Sequence, residues 1–311
     1  MTLYVARRLL ALLATVAVAV VLTFVANRFV PGDPVTVMLG DQSGNVLLAA
    51  KLRAEYGLDR PWPAQFVEYV AHLAVGDMGL SFRFPGTPVA TVIADGLAIS
   101  PLLAAAALAI AIPTGLGLGV FAALRRNTLA DTGTMLVLVA GLSVPNFALA
   151  ALAVWLFSIK LGWLPVAGWG RPAQAVLPIL LLAIPPAAYI ARLARTFMLE
   201  VLQQDYIRTA RAKGLAERLV VWRHGLRNAL LPILTVIGVI LGGLITGTFV
   251  IEVLFNIPGL GRIAIQSIFA RDYPVTMGIV MLFTLFYGLI NFAVDVLYGV
   301  VDPRVRAGRA A

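Results

Sequence analysis

The 311-residue sequence contains no cysteine, two histidines, three lysines and only 13% charged residues. Each shortage excludes something. Without cysteine there is no disulfide, thiolate metal site, iron–sulfur cluster or cysteine nucleophile. His72 and His224 lie far apart and match no histidine metal motif, so no metal site is expected. A Walker A loop needs Gly-Lys followed by Ser or Thr, because lysine and backbone N–H groups together cradle the phosphates. Lys51, Lys160 and Lys213 are followed by Leu, Leu and Gly, so the chain has no P-loop. Soluble domains carry about a quarter of their residues as charges. With 60% hydrophobic residues and a mean hydropathy of +0.93, this chain has too little polar surface to face water. The same balance excludes disorder. The composition is that of an integral membrane protein.

What is present is a set of long charge-free runs: Leu9–Asn27, Gly96–Leu124, Thr132–Ile159, Pro172–Ala191, Asn228–Ile251 and Tyr273–Val294. A helix crosses roughly 30 Å of hydrocarbon with about 20 apolar residues, and every run is long enough. The first follows Arg7 and Arg8 as a signal peptide would. Its apolar core exceeds the roughly 7–15 residues of a signal h-region, which predicts an uncleaved helix. Alternating apolar strands are missing, which argues against a membrane barrel. With both termini cytoplasmic, 15 of the 24 Lys and Arg residues fall inside, and the positive-inside rule predicts N-in, C-in. The net charge of +9 then requires no nucleic-acid partner.

Six spans divide the chain into three parts. Residues 1–95 hold the first helix and an external amphipathic region, residues 96–300 a five-helix core, and residues 301–311 a cytoplasmic tail. The external linker opens with the turn cluster Pro31-Gly32-Asp33-Pro34. Its patterning predicts a helix over Asn45–Tyr56 with Val46, Leu47, Ala50 and Ala54 on the apolar side. A second helix, over Ala64–Val75, has Phe66, Val67, Val70 and Leu73 together.

The cytoplasmic linker Arg192–Arg227 is the most informative stretch. Val201–Lys213 reads as one amphipathic helix, with Leu202, Tyr206 and Ala210 at i, i+4 and i+8 and with Gln204, Arg208, Arg211 and Lys213 facing elsewhere. Arg211 and Lys213 suit the helix C-terminus, and Gly214 supplies a left-handed residue after it. A second helix restarts near Ala216 and runs towards Pro232, where the next span begins. Such a basic hairpin either lies on anionic headgroups or docks a cytoplasmic partner. The last linker, Glu252–Asp272, is external and carries Pro258-Gly259-Leu260-Gly261-Arg262.

Catalysis finds little support. Gly141-Leu142-Ser143 resembles part of a nucleophile motif, yet no histidine lies in a span to serve as base, and Ser143 is expected to bond a helix carbonyl. The spans contain no charge for a proton relay, and Asp295 falls at the cytoplasmic interface. Sodium coordination by carbonyls near Pro185-Pro186 stays open, and with it a self-sufficient secondary transporter. The pairs Gly115/Gly119, Gly238/Gly242 and Gly243/Gly247 allow close helix approach.

Asp205-Tyr206-Ile207-Arg208-Thr209-Ala210-Arg211-Ala212-Lys213-Gly214, followed by His224-Gly225-Leu226-Arg227 and Pro232, resembles the coupling segment of ATP-binding-cassette importer permeases. The closest likeness is to the dipeptide, oligopeptide and nickel type. Tyr4-Val5-Ala6-Arg7-Arg8-Leu9, Pro31-Gly32-Asp33-Pro34, Gly76-Asp77-Met78-Gly79-Leu80-Ser81, Leu161-Gly162-Trp163-Leu164-Pro165, Pro258-Gly259-Leu260-Gly261-Arg262, Arg271-Asp272-Tyr273-Pro274 and Asp302-Pro303-Arg304 agree with that family in order and spacing. Arg208-Thr209-Ala210 stands where importers in general have Glu-Ala-Ala, a departure that itself resembles the peptide subfamily.

The resemblance implies an all-α, type I importer permease fold with coupling segment 200–227, in a multi-pass protein of the bacterial inner membrane. It also implies a non-catalytic subunit without a cofactor, half of a translocation pathway for di- or oligopeptides, or alternatively a nickel chelate. Its implied partners are the lipid bilayer, a second homologous permease, two cytoplasmic ATPases and an external substrate-binding protein. Tyr206, Arg208, Ala210, Arg211, Lys213 and Gly214 are the expected ATPase-coupling residues. Asp33, Asp77, Pro258, Gly259 and Arg262 are the expected contacts for the binding protein.

Overall fold

A computed structural model describes residues 2–29, 33–40 and 44–301. Pro31 and Gly32 of the turn cluster, and Asp302-Pro303-Arg304 with the rest of the tail, lie outside the described residues. Four helices are long and apolar enough to cross a membrane: α1 (Thr2–Phe29), α5 (Val89–Leu124), α8 (Pro172–Leu202) and α14 (Tyr273–Val301). Bent helix pairs raise the number of spans to as many as six. The isolated bridge Leu80–Pro88 is the β pairing seen among the described residues. The shorter helices, introduced where they matter below, include α2 (Pro34–Leu39), α3 (Val46–Glu55) and α4 (Trp62–Ala74).

The expected straight span Thr132–Ile159 is instead broken. Helix α6 (Leu129–Ser143) and α7 (Asn146–Ala153), which continues as a π-helical stretch Val154–Lys160, meet at 102°. The cause is local. Proline crowds the residue before it out of the helical region, and Val144 accordingly sits at φ −86°, ψ 125° ahead of Pro145. Helix α9 (Asp205–Ala212), α10 (Glu217–Leu219) and a π-helical stretch Val220–Leu226 then lead into α11 (Arg227–Gly247). Helix α11 begins at Arg227, beside the start of the charge-free run at Asn228, and continues through Pro232 rather than beginning there. The bend there is 47°, because proline lacks the N–H that would bond the Asn228 carbonyl. Helix α12 (Phe249–Leu254) and α13 (Leu260–Phe269) precede α14.

One compact unit is drawn from Met1–Ser100 and Pro258–Phe292, the other from Pro101–Ile257 and Ala293–Ala311. In the second unit α5 and α8 lie against each other where Gly115 and Gly119 remove side chains. A Cβ on Gly115 would stand 2.7 Å from the Ala187 carbonyl oxygen, and one on Gly119 would strike the Ala191 carbonyl. Gly238 likewise makes room for Val294, whereas a Cβ on Gly243 would meet nothing. Helix α8 stays helical through Pro178, Pro185 and Pro186 and buries Ile190 and Ala194 with Ile233 of α11.

In the first unit the two external helices form, but with different faces. Asn45 caps α3 by accepting from the Leu48 N–H, and Gly57 at φ +63° closes it. Val46 and Leu47 are 80% and 85% exposed, and the half-buried positions are Leu48, Ala49, Leu52 and Tyr56. On α4 the inward side is Gln65, Phe66, Tyr69 and Leu73, while Val67 and Val70 face out. Phe24 of α1 decides this: its ring meets Phe66 edge-on at 5.1 Å and stacks on Tyr69 at 6.3 Å.

Candidate functional site: the elbow after helix 8

The Arg192–Arg227 linker folds into a buttressed elbow, not the single helix expected over Val201–Lys213. Helix α8 stops at Leu202, Gln204 takes extended geometry (φ −71°, ψ 149°), and α9 restarts at Asp205, whose charge suits a helix N-terminus. The inward face of α9 is therefore Ile207 and Ala210, which close on Val220 with Leu202 beside them. Ala210 is only 7% exposed and supports the elbow from within, whereas Tyr206 is 42% exposed.

Gly214 forms the corner. Its φ of +76° belongs to the left-handed region that L side chains avoid. Its N–H bonds the Arg211 carbonyl at 2.9 Å, and the Leu215 N–H bonds that of Ala210 at 3.3 Å. This pair of bonds is a Schellman closure, which satisfies carbonyls left open at the end of α9. Arg211 reaches across the corner to Glu217 with two bonds, Nε–Oε2 at 3.0 Å and Nη2–Oε1 at 2.6 Å. Those bonds hold the Glu217 carboxyl below the ordinary carboxylate value and raise the Arg211 guanidinium. Arg208 makes a looser contact with Asp205 at 3.4 Å, and Lys213 is exposed.

The elbow is anchored at both ends. Asn228 Nδ2, at the start of α11, donates to the Tyr206 hydroxyl and to the His224 carbonyl, both at 3.0 Å. The π-helical stretch turns Val220, Val221, Gly225 and Leu226 inward. Val221 and Leu226 join Val120, Ala123, Met198 and Ala229 in one buried cluster on α5, α8 and α11. A Cβ on Gly225 would sit 3.2 Å from Met198 Cε, so the cluster is closely packed there. The i+5 turns carry no 3.6-residue periodicity in the sequence. The exposed apolar side chains Leu215, Leu219 and Trp222 were passed over, although their place beside the corner was readable.

Near this elbow Asp131 of α6 receives both Nε and Nη2 of Arg195 of α8, at 2.6 and 2.7 Å, and also the Asn127 N–H at 3.1 Å. Both charges were placed on the cytoplasmic side by the sequence, but 64 positions separate them and nothing in the pattern paired them.

The expected external contacts have structural partners. Asp33 caps α2 through the Val35 N–H and pairs with Arg53. Asp77 lies 2.8 Å from His72 Nδ1 and accepts the Gly79 N–H at 2.8 Å. These interactions, His72 first, hold its carboxyl below the ordinary value. Pro258 and Arg262 are half-buried; Gly259 is buried and precedes α13, whose Leu260 N–H bonds Ser100 Oγ at 2.8 Å. Two motifs distant in sequence come together here. Asp272, 1% exposed, accepts from Ser81 Oγ, from the Phe82 N–H at 3.0 Å and from the Arg83 N–H at 3.3 Å.

This helical chain, with up to six spans and a buttressed elbow between α8 and α11, is built as a transport permease. Residues 115–307 match the model of the binding-protein-dependent transport system inner membrane component, and residues 1–89 the N-terminal model for the membrane component of such systems; the chain belongs to this family. It is 42% identical over 303 residues to a dipeptide transport system permease protein of Bacillus subtilis, covering 97% of each chain. To a glutathione transport system permease protein of Escherichia coli O6:H1 it is 40% identical, covering 97% of this chain and 98% of the relative. Among solved structures, an inward-facing methionine ABC transporter superposes with a TM-score of 0.59 at 20% identity, over 68% of this chain and 97% of the other. An amino acid ABC transporter does so at 0.53 and 17%, over 67% and 92%. These two show the fold alone. Neither the nickel nor the secondary-transporter alternative is favoured.

Proposed function

We propose that this permease imports short peptides, driven by ATP hydrolysed in partner subunits rather than in this chain. It forms half of the pathway beside a second, homologous permease, with two cytoplasmic ATPases below and a substrate-binding protein outside. Both termini lie in the cytoplasm and six spans cross the bilayer, each bent pair counting as one, in keeping with the excess of arginine that this topology places inside. Peptides are the substrate class because the dipeptide permease shares nearly the whole chain.

The observation that carries the coupling role is the elbow itself. A lever must be stiff, and this one is locked at Gly214, clamped by Arg211–Glu217 and rooted in the Met198–Val221 cluster. Tyr206, Arg208, Lys213 and the corner at Gly214 meet the ATPase, with Leu215 as an apolar contact; Arg211 and Ala210 hold the corner in shape. On the opposite side Asp33, Asp77, Pro258, Gly259 and Arg262 position the loops that receive the binding protein.

The test exploits the cysteine-free sequence. A single cysteine replacing Lys213 and carrying a thiol-attached photocrosslinker, in the complete complex, should crosslink to an ATPase subunit on illumination, and its yield should change when ATP is bound. Crosslinking to lipid alone would overturn the docking role and leave a hairpin lying on the membrane.

A further inference from the structure

The first compact unit contains a second, unassigned site where α1 ends and α14 begins. Among the described residues, Asn27 Nδ2 and Tyr273 Oη are buried side-chain polar atoms without a hydrogen-bond partner. Burying such a donor unpaired is costly, so two side by side call for a ligand. Both residues line the same two cavities. One, of about 140 Å³, also has Arg28 and Gln65 in its wall; the other, of about 370 Å³, is almost wholly apolar and is walled by Leu22, Ile268 and Val280. Arg28 donates to Gln65 and lies over the Phe24 ring, which fixes its guanidinium beside the smaller cavity.

A small chamber of mixed lining, with a cation and two idle donors in its wall, therefore opens beside an apolar groove. Its depth is set by sequence. Asn27 ends the first charge-free run and Tyr273 begins the last, so the chamber lies at the bilayer interface and the groove within the hydrocarbon. Leu22 is 63% exposed, as a side chain facing lipid would be. We propose that this is a binding site for one glycerophospholipid. Its phosphodiester accepts from Arg28, Asn27 Nδ2 and the Tyr273 hydroxyl, and one acyl chain lies in the groove beside Leu22 and Val280. Water would satisfy the donors but gains nothing from the groove, and a wholly apolar occupant would leave the donors unpaired.

The site is tested on the assembled complex in vesicles of phosphatidylethanolamine and phosphatidylglycerol containing phosphatidylglycerol with a photoactivatable acyl chain. Labelled peptides are mapped by mass spectrometry. Labelling around Leu22 and Val280 should stand several-fold above that at Leu136 and Val137, exposed on α6, and unlabelled phospholipid should compete it away. The double variant Arg28→Gln, Tyr273→Phe should lower labelling at the groove about tenfold, as expected for losing charge-assisted bonding, and leave α6 unchanged. Groove labelling in the unaltered protein no higher than on α6 would overturn the site, whatever the variant's fate. Undiminished labelling in an assembled variant would overturn the roles of Arg28 and Tyr273.

Discussion

Gly214 holds a backbone conformation that proline cannot adopt and other L residues adopt at a cost of about 1–2 kcal/mol. A Cβ there would meet nothing, so the penalty is conformational rather than steric. Gly214→Ala should accordingly keep the complex assembled with reduced peptide-stimulated ATP hydrolysis, and Gly214→Pro should abolish coupling while the membrane helices still fold. Co-purification of the ATPases and transport in vesicles measure the two effects separately. Arg195→Met leaves the buried Asp131 without its partner and should cost about 3 kcal/mol, read as a lowered Tm in detergent. Asp272→Ala strands the Phe82 and Arg83 N–H groups and should expose the 80–88 loop to protease. Residue chemistry was legible wherever it is local. The corner at Gly214 follows from residue type and position. The Asp131–Arg195 and Ser81–Asp272 pairs bridge 64 and 191 positions, and only the folded chain brings them together.

Elements defined by long apolar runs were readable because membrane thickness fixes their length; how sharply they bend was not. Pro145 marks a place where the hydrogen-bond ladder breaks, but nothing local in the sequence sets the 102° by which the chain turns there. On α4 Phe66 and Leu73 turn inward as the pattern has them, but Val67 and Val70 do not, because Phe24 selects Phe66 and Tyr69. The elbow between α9 and α10 should also respond to pH. The Glu217 carboxyl is held below its ordinary value by Arg211, so the pair's contribution is present above the ordinary carboxylate range and is lost as pH falls through the lowered value. Both side chains are about half exposed, so solvent screening keeps the effect modest. Spin labels at Thr209 and Arg218 should give a narrow distance distribution at neutral pH that broadens in acid, and Glu217→Gln should broaden it already at neutral pH.

At the scale of the whole molecule, the proposed reading makes the chain a lever and one wall of a pathway that moves substrate only together with its partners. Membership of the binding-protein-dependent family fixes the class of machine, and the proposed coupling role puts the entry of force at the elbow. The most direct test is peptide uptake into vesicles containing the permease pair and its ATPases, with the binding protein added. Uptake should require ATP and the binding protein together, and should vanish in a Gly214→Pro complex that still retains its ATPases. Uptake by this chain alone, or a normal rate in the Gly214→Pro complex, would contradict the coupling role of the elbow.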